Sequence, residues 1–280
     1  MKEKGFLVVI LAACIAGFGG IFINNISMGS TAIAWMRTTV PTVLLGSILL
    51  FQGVKLFQGN FKMLLNLSFW STLRIFLFIM AYTFTSIGNA VVVFYTYPIF
   101  TLLFAYKMLD EHISKRQIGL ILLAFVGLVV IYANKTFSFA DQDFLGMLSA
   151  LAAAIIFAYI VILMKKMSDG YGRVEILFYQ NFIGVILFLP FFMMDLPNVS
   201  LPNLGFGVAY GIVIGVVVYY LFLYGLKRMK ASIASALMYV EIPSTIFFGW
   251  LILDETLSIN FLIGAVMIVI SSVLLKTGKA

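Results

Sequence analysis

Apolar residues gather in long unbroken stretches along this chain rather than alternating with polar ones. Ten stretches, separated by short polar breaks, cover approximately residues 5 to 23, 32 to 52, 69 to 87, 89 to 108, 117 to 134, 144 to 165, 174 to 194, 204 to 225, 232 to 253 and 259 to 276. A helix of about 20 residues spans the roughly 30 Å hydrocarbon core of a bilayer. Lipid offers no partner to a bare backbone amide, so stretches of this length cross as helices. The pattern predicts an all-α integral membrane protein with ten transmembrane helices.

Composition sharpens this. The chain is 63% hydrophobic and 10% charged, with a mean hydropathy of +1.11, far from the roughly 45–50% apolar usage of soluble domains. Nearly all 280 residues are consumed by spans, so no soluble catalytic or regulatory domain has room and the function must lie among the helices. The single Cys14 excludes an intramolecular disulfide. A net charge of +7 would suggest a nucleic-acid partner in a soluble chain, but here topology explains it. With a cytoplasmic N-terminus, fifteen Lys and Arg fall on the inner side, only Lys135 falls outside, and Arg37 and Arg74 lie within spans. That bias obeys the positive-inside rule through ten crossings, and predicts an inner-membrane protein with both termini cytoplasmic. The first apolar stretch is too long for a usual signal-peptide core and is read as a retained helix.

The chain repeats itself. Tyr97-Pro98-Ile99-Phe100, then Leu109-Asp110-Glu111-His112-Ile113-Ser114, then Gly119, return about 144 residues later as Ile242-Pro243-Ser244-Thr245, Leu253-Asp254-Glu255-Thr256-Leu257-Ser258 and Gly264. Each copy sets a proline in mid-span, an Asp-Glu turn, and a glycine early in the next helix. Five helices separate the copies, and an odd number reverses the side from which the second half enters. The prediction is two inverted-topology five-helix repeats, residues 1–138 and 139–280. Small residues at four-residue spacing (Ala12, Ala16, Gly20; Gly146, Ala150, Ala154, Ala158; Gly207, Gly211, Gly215) are expected to let helices approach closely.

Ten helices in a duplicated unit, Arg37 in the second helix, and the Pro98, Glu111 and Gly119 spacing with its second copy resemble the EamA type of the drug/metabolite transporter superfamily. The resemblance covers essentially the full length. It departs where the family's first helix often carries Trp-Gly and this chain reads Gly17-Phe18-Gly19-Gly20. The resemblance implies transport of small polar metabolites, with amino acids and related amines first.

Ionisable residues inside a bilayer are expensive and mark function by default. Glu241 lies about nine residues into the ninth stretch and two before Pro243, on an arc with Ser235, Met238 and Thr245. It is expected to bind a cationic group of the substrate or to carry a coupling proton. Arg74 shares a face with Phe78, Ala81, Tyr82 and Thr85, and can meet an anionic substrate group or a carboxylate, or snorkel to the nearer interface. Arg37, close to the outer end of its helix beside Pro41, Leu44 and Ile48, is expected to order an outer gate. Pro98 and Pro243 interrupt their helices and are candidate hinges. Tyr82, Tyr95, Tyr97, Tyr159 and Tyr239, with Gln180, complete the expected substrate-binding set, since tyrosine rings suit cationic or aromatic amines. Glu111 and Glu255 are expected in capping or turn roles. His112 is the one histidine and has no ligand cluster around it, so no metal or cofactor is expected.

These features favour a secondary transporter that carries a small-molecule substrate by alternating access, as exporter or exchanger, with protons as the candidate coupling ion and membrane lipids around it. A membrane-embedded enzyme on lipid substrates would need paired carboxylates or a His-carboxylate set near the interface, and neither is found. A passive channel could use the same small-residue helices and tyrosines. No Gly-Lys-Ser phosphate loop is present, which argues against direct ATP coupling.

Overall fold

The computed structural model describes residues 2–57, 60–133, 141–253 and 256–277. Lys135, Asp254, Glu255 and the expected boundary between residues 138 and 139 lie outside the described residues. The chain folds into helices throughout, and several apolar stretches are built from more than one helical piece. The first comprises α1 (Lys2–Ala16) and α2 (Gly19–Asn24), followed by α3 (Ser30–Phe51) and α4 (Phe61–Phe84). Next come α5 (Ile87–Phe94) with α6 (Tyr97–Met108), then α7 (Lys115–Ile131), α8 (Asp141–Met167) and α9 (Arg173–Met194). The eighth stretch joins α10 (Leu201–Tyr210), a π-helical segment over Gly211–Val218, and α11 (Tyr219–Leu226). The ninth joins α12 (Ala231–Leu237), a 3₁₀ turn over Met238–Val240, and α13 (Glu241–Leu253), and the chain continues into α14 (Ile259–Thr277).

Among the described residues, eight helices or joined helices are long and apolar enough to cross a membrane. The other two stretches form α7, of 17 residues, and α14, of 19. Large apolar side chains such as Leu50, Leu103, Ile186, Leu201 and Val266 stay exposed around the bundle; such a belt would aggregate in water and is solvated by lipid tails. The protein is therefore a multi-pass membrane protein.

Side chains cap the helix starts where they leave lipid. Ser114 forms a capping box with Gln117 at the start of α7, and Ser258, in the corresponding place of the second copy, accepts from the Phe261 amide. Packing pairs α3 with α9, α4 with α8, α1 with α11, and α7 with α14. The expected glycine stripe explains one close approach. Gly207, Gly211 and Gly215 all face α3, against Met36, Val40 and Pro41. Ala150, Ala154 and Ala158 are fully buried, as is Ala12, while Gly20 remains exposed.

The two ends of the bundle differ in charge. At one end, the Lys165 ammonium donates to the carbonyls of Leu226 (2.6 Å) and Met229 (2.8 Å), and Lys227 to that of Ser168 (2.7 Å). Arg173 stacks over Tyr220 at 4.2 Å. At the opposite end the bonded ions are acidic: Asp195 accepts from the Gly29 amide (2.7 Å) and Asp143 from the Thr85 hydroxyl (2.9 Å).

Candidate functional site

The two broken helices meet at the centre of the fold. Pro98 has no amide to give the Phe94 carbonyl, and the Ile99 amide turns to Thr96 (2.9 Å) instead of Tyr95. The Tyr95 carbonyl is thereby freed, and the Tyr239 hydroxyl donates to it at 2.8 Å. In return, Tyr97 donates to the Ser235 carbonyl at 3.4 Å. Tyr239 is fully buried and Tyr97 2% exposed, so both hold the α5–α6 break against α12. Beside these two ties, the Tyr95 hydroxyl lies close enough to interact with the carboxylate of Glu241, which opens α13 directly after the 3₁₀ turn.

Around Glu241 lies a group of charges and tyrosines drawn from four parts of the chain. Arg37 on α3 donates through Nη2 to the Tyr219 hydroxyl at 3.2 Å, with its guanidinium 5.6 Å from that ring's centre. It lies within electrostatic reach of Tyr210 and Glu241. Arg37 thus reaches inward to the chamber, where sequence placed it on an apolar outer face. Arg74 on α4 is 5% exposed and lies 5.0 Å from the centre of the Phe157 ring. It turns into the protein instead of snorkelling, and Tyr97, Tyr210, Tyr219 and Arg37 surround it. Arg37, Tyr210 and Glu241 are ringed by protein yet keep part of their surface accessible. Charged groups gathered inside a membrane-spanning bundle in this way mark the candidate functional site, which we call the chamber. One turn along α13, Thr245 borders a concavity of about 130 Å³ that it shares with Gly20, Ile21, Asn24, Gly249 and Leu253.

The π-helical segment explains why Tyr210 and Tyr219 both reach Arg37. Nine residues apart on an α-helix, at about 100° per residue, they would point in opposite directions. A π-helix turns by only roughly 80° per residue, so the pair falls within about 40° of one face. Both then address Arg37.

Two blocks of the chain, residues 3–133 and 144–277, match the model of the EamA-like transporter family. The chain belongs to the EamA-like transporter family. Among its relatives, an uncharacterized transporter of Clostridium kluyveri is 29% identical over 201 residues, covering 69% of this chain and 65% of that protein. The pseudopaline exporter CntI of Pseudomonas aeruginosa is 22% identical over 284 residues, 100% of this chain and 98% of its own. An S-adenosylmethionine uptake transporter of Rickettsia felis is 26% identical, covering 67% of this chain and 62% of its own length. A solved crystal structure matches with a TM-score of 0.86 over 99% of this chain and 97% of that one, at 17% identity, a likeness in fold. The EamA-like chain is a membrane transporter, not an enzyme.

The EamA chamber gathers Glu241, Arg74, Tyr95, Tyr97 and Arg37, with Pro98 and Pro243 in the first turns of the helices that frame it. Tyr82 is 37% exposed, packs edge-on against Phe78, and borders the same group through its reach to Glu241. Tyr159 stands apart, edge-on to Trp70 at 5.9 Å. Gln180 is buried at 4% exposure, its Oε1 without a hydrogen-bond partner among the described residues. Tyr210 has no place in the expected set; the glycines flanking it are its only mark in the sequence.

Proposed function

We propose that this protein is a secondary transporter that moves a small polar metabolite, an amino acid or related compound, by alternating access to the chamber around Glu241, as exporter or exchanger. The observation that carries this reading is the joint: two helices broken beside Pro98 and Pro243 are tied to each other by Tyr239 and Tyr97, and Tyr95 in the first break lies within reach of Glu241 in the second. Such a joint lets the helix halves tilt as cargo or proton changes what Glu241 holds.

Several features support two inverted five-helix halves as the moving bodies. The cap of α7 recurs at α14, and α4 packs on α8 as α11 packs on α1, the exchange an inverted pseudo-twofold requires. The basic end then faces the cytoplasm of an inner membrane. Relatives named for export of one metabolite and uptake of another support a small-molecule cargo and leave direction to the gradient. In proteoliposomes loaded with amino acids, saturable counter-transport is expected from the wild type. Glu241→Gln is expected to abolish the response of flux to a proton gradient. Undiminished flux with unchanged pH dependence in that variant refutes the coupling role.

A further inference from the structure

We propose that the Nε–Nη2 edge of Arg74 is a carboxylate-binding subsite, so that the cargo must carry a free carboxylate and its decarboxylated amine is rejected. This rests on the carrier reading above and names the group that the carrier recognises.

The guanidinium is a planar fork, and its Nε–H and one Nη2–H point side by side, spaced to meet the two oxygens of a carboxylate. In Arg74 these two nitrogens are sealed from the surface and have no hydrogen-bond partner among the described residues. The side chain is 5% exposed, and its guanidinium lies 5.0 Å from the centre of the Phe157 ring. A cation placed like this inside a membrane is costly unless an anion arrives to pair with it.

Nothing nearby supplies that anion. Glu241 lies within reach of Arg37 and Tyr95. Arg37 has the Tyr219 hydroxyl and faces Arg74 as a like charge. On the helices packed against α4, the acids whose side chains are described lie in first turns: Asp143 of α8, held by Thr85, and Glu175 of α9. The chamber therefore sets two guanidiniums against one carboxylate. One unbalanced positive charge suits a monoanionic carboxylate better than phosphate, which carries about −1.5 to −2 near neutral pH. The binding mode follows: the cargo carboxylate lies on Arg74, and the rest of the molecule extends toward the Glu241–Tyr95 pair.

Thermal unfolding of the purified full-length protein tests this against a panel of L-amino acids, their amides and decarboxylated amines, simple mono- and dicarboxylates, and inorganic phosphate. Every solute that raises the Tm is expected to carry a free carboxylate, and its amide or amine to lose the shift. Arg74→Gln is expected to weaken apparent affinity about tenfold or more, with a ligand-free Tm equal to or above the wild type because a buried unpaired charge is gone. Arg74→Lys keeps the charge without the fork and is expected to recover only part of the affinity. Stabilisation by an amine as strong as by its acid, stabilisation by phosphate alone, or a panel without any active carboxylate overturns the subsite. So does a lower ligand-free Tm in Arg74→Gln, the mark of a structural arginine. Saturable flux of a solute lacking a carboxylate overturns the subsite and leaves the carrier reading standing, whereas absence of saturable flux for every solute overturns the carrier reading itself.

Discussion

Glu111 offers the sharpest stability test, because its carboxylate caps a helix that is not its own. It lies in the turn after α6, yet Oε1 accepts from the Ala231 amide at 2.6 Å, and Oε2 accepts from the Ser232 amide at 3.4 Å and from the Ser232 hydroxyl at 3.0 Å. The first amides of α12 have no carbonyl partner within their helix, and α12 leads straight to the 3₁₀ turn and Glu241. Glu111→Ala leaves those donors to the interface. Losing a cap costs about 0.5–2 kcal/mol, and removing a negative charge from a helix start about 0.3–1 kcal/mol. A total of about 1–3 kcal/mol corresponds to a Tm lower by roughly 2–10 °C in a chain of this size. Glu111→Gln keeps an acceptor oxygen and loses only the charge, so less than half that fall is expected. The assay is thermal unfolding in detergent at one fixed scan rate, because unfolding of such proteins is often irreversible. A Glu111→Ala protein within about 1 °C of wild type would refute the trans cap, given the few degrees that each kcal/mol moves Tm.

Two further substitutions probe the frame and the joint. A Cβ at Gly264 would run into the Gly127 carbonyl, so Gly264→Ala must push α7 and α14 apart at a cost of about 1–3 kcal/mol; Gly119→Ala, with nothing within 4 Å of the new methyl, is the control, and equal Tm values for the two would contradict the close crossing. Tyr239→Phe leaves the freed Tyr95 carbonyl unpaired and is expected to cost about 1–3 kcal/mol. Its Tm should fall while Tyr159→Phe leaves Tm unchanged, and identical behaviour of the two would contradict the stitch.

How much of this was legible in the sequence depended on how local the cause was. A bilayer imposes its thickness on any helix that crosses it, so the apolar stretches announced spans, and among the described residues eight helices are long and apolar enough to cross. Pro98 and Pro243 announced the breaks for the same reason: a missing amide is a property of one residue. What the freed carbonyl would meet was not local. Tyr239 was expected at the substrate, but it lies opposite Tyr95 once α12 packs beside α6, and its hydroxyl takes the orphaned oxygen. Glu111 was read as a cap and is one, though the helix it caps begins 120 residues further on.

The chamber itself was the least legible part, and the π-helical segment shows why. Helical periodicity assigns faces at about 100° per residue, and any counting across Gly211–Val218 accumulates a phase error of roughly half a turn. Regular winding across this segment would set Tyr210 and Tyr219 on opposite sides. The three small residues that draw this segment against Met36, Val40 and Pro41 were visible, but their close packing gave no hint of the altered winding. A π-segment costs hydrogen-bond geometry and persists mostly where function requires it. Here it brings Tyr219, which accepts from Arg37, to the side where Glu241 and Arg74 converge. The departure from regular winding is what turns both tyrosines of this stretch toward Arg37.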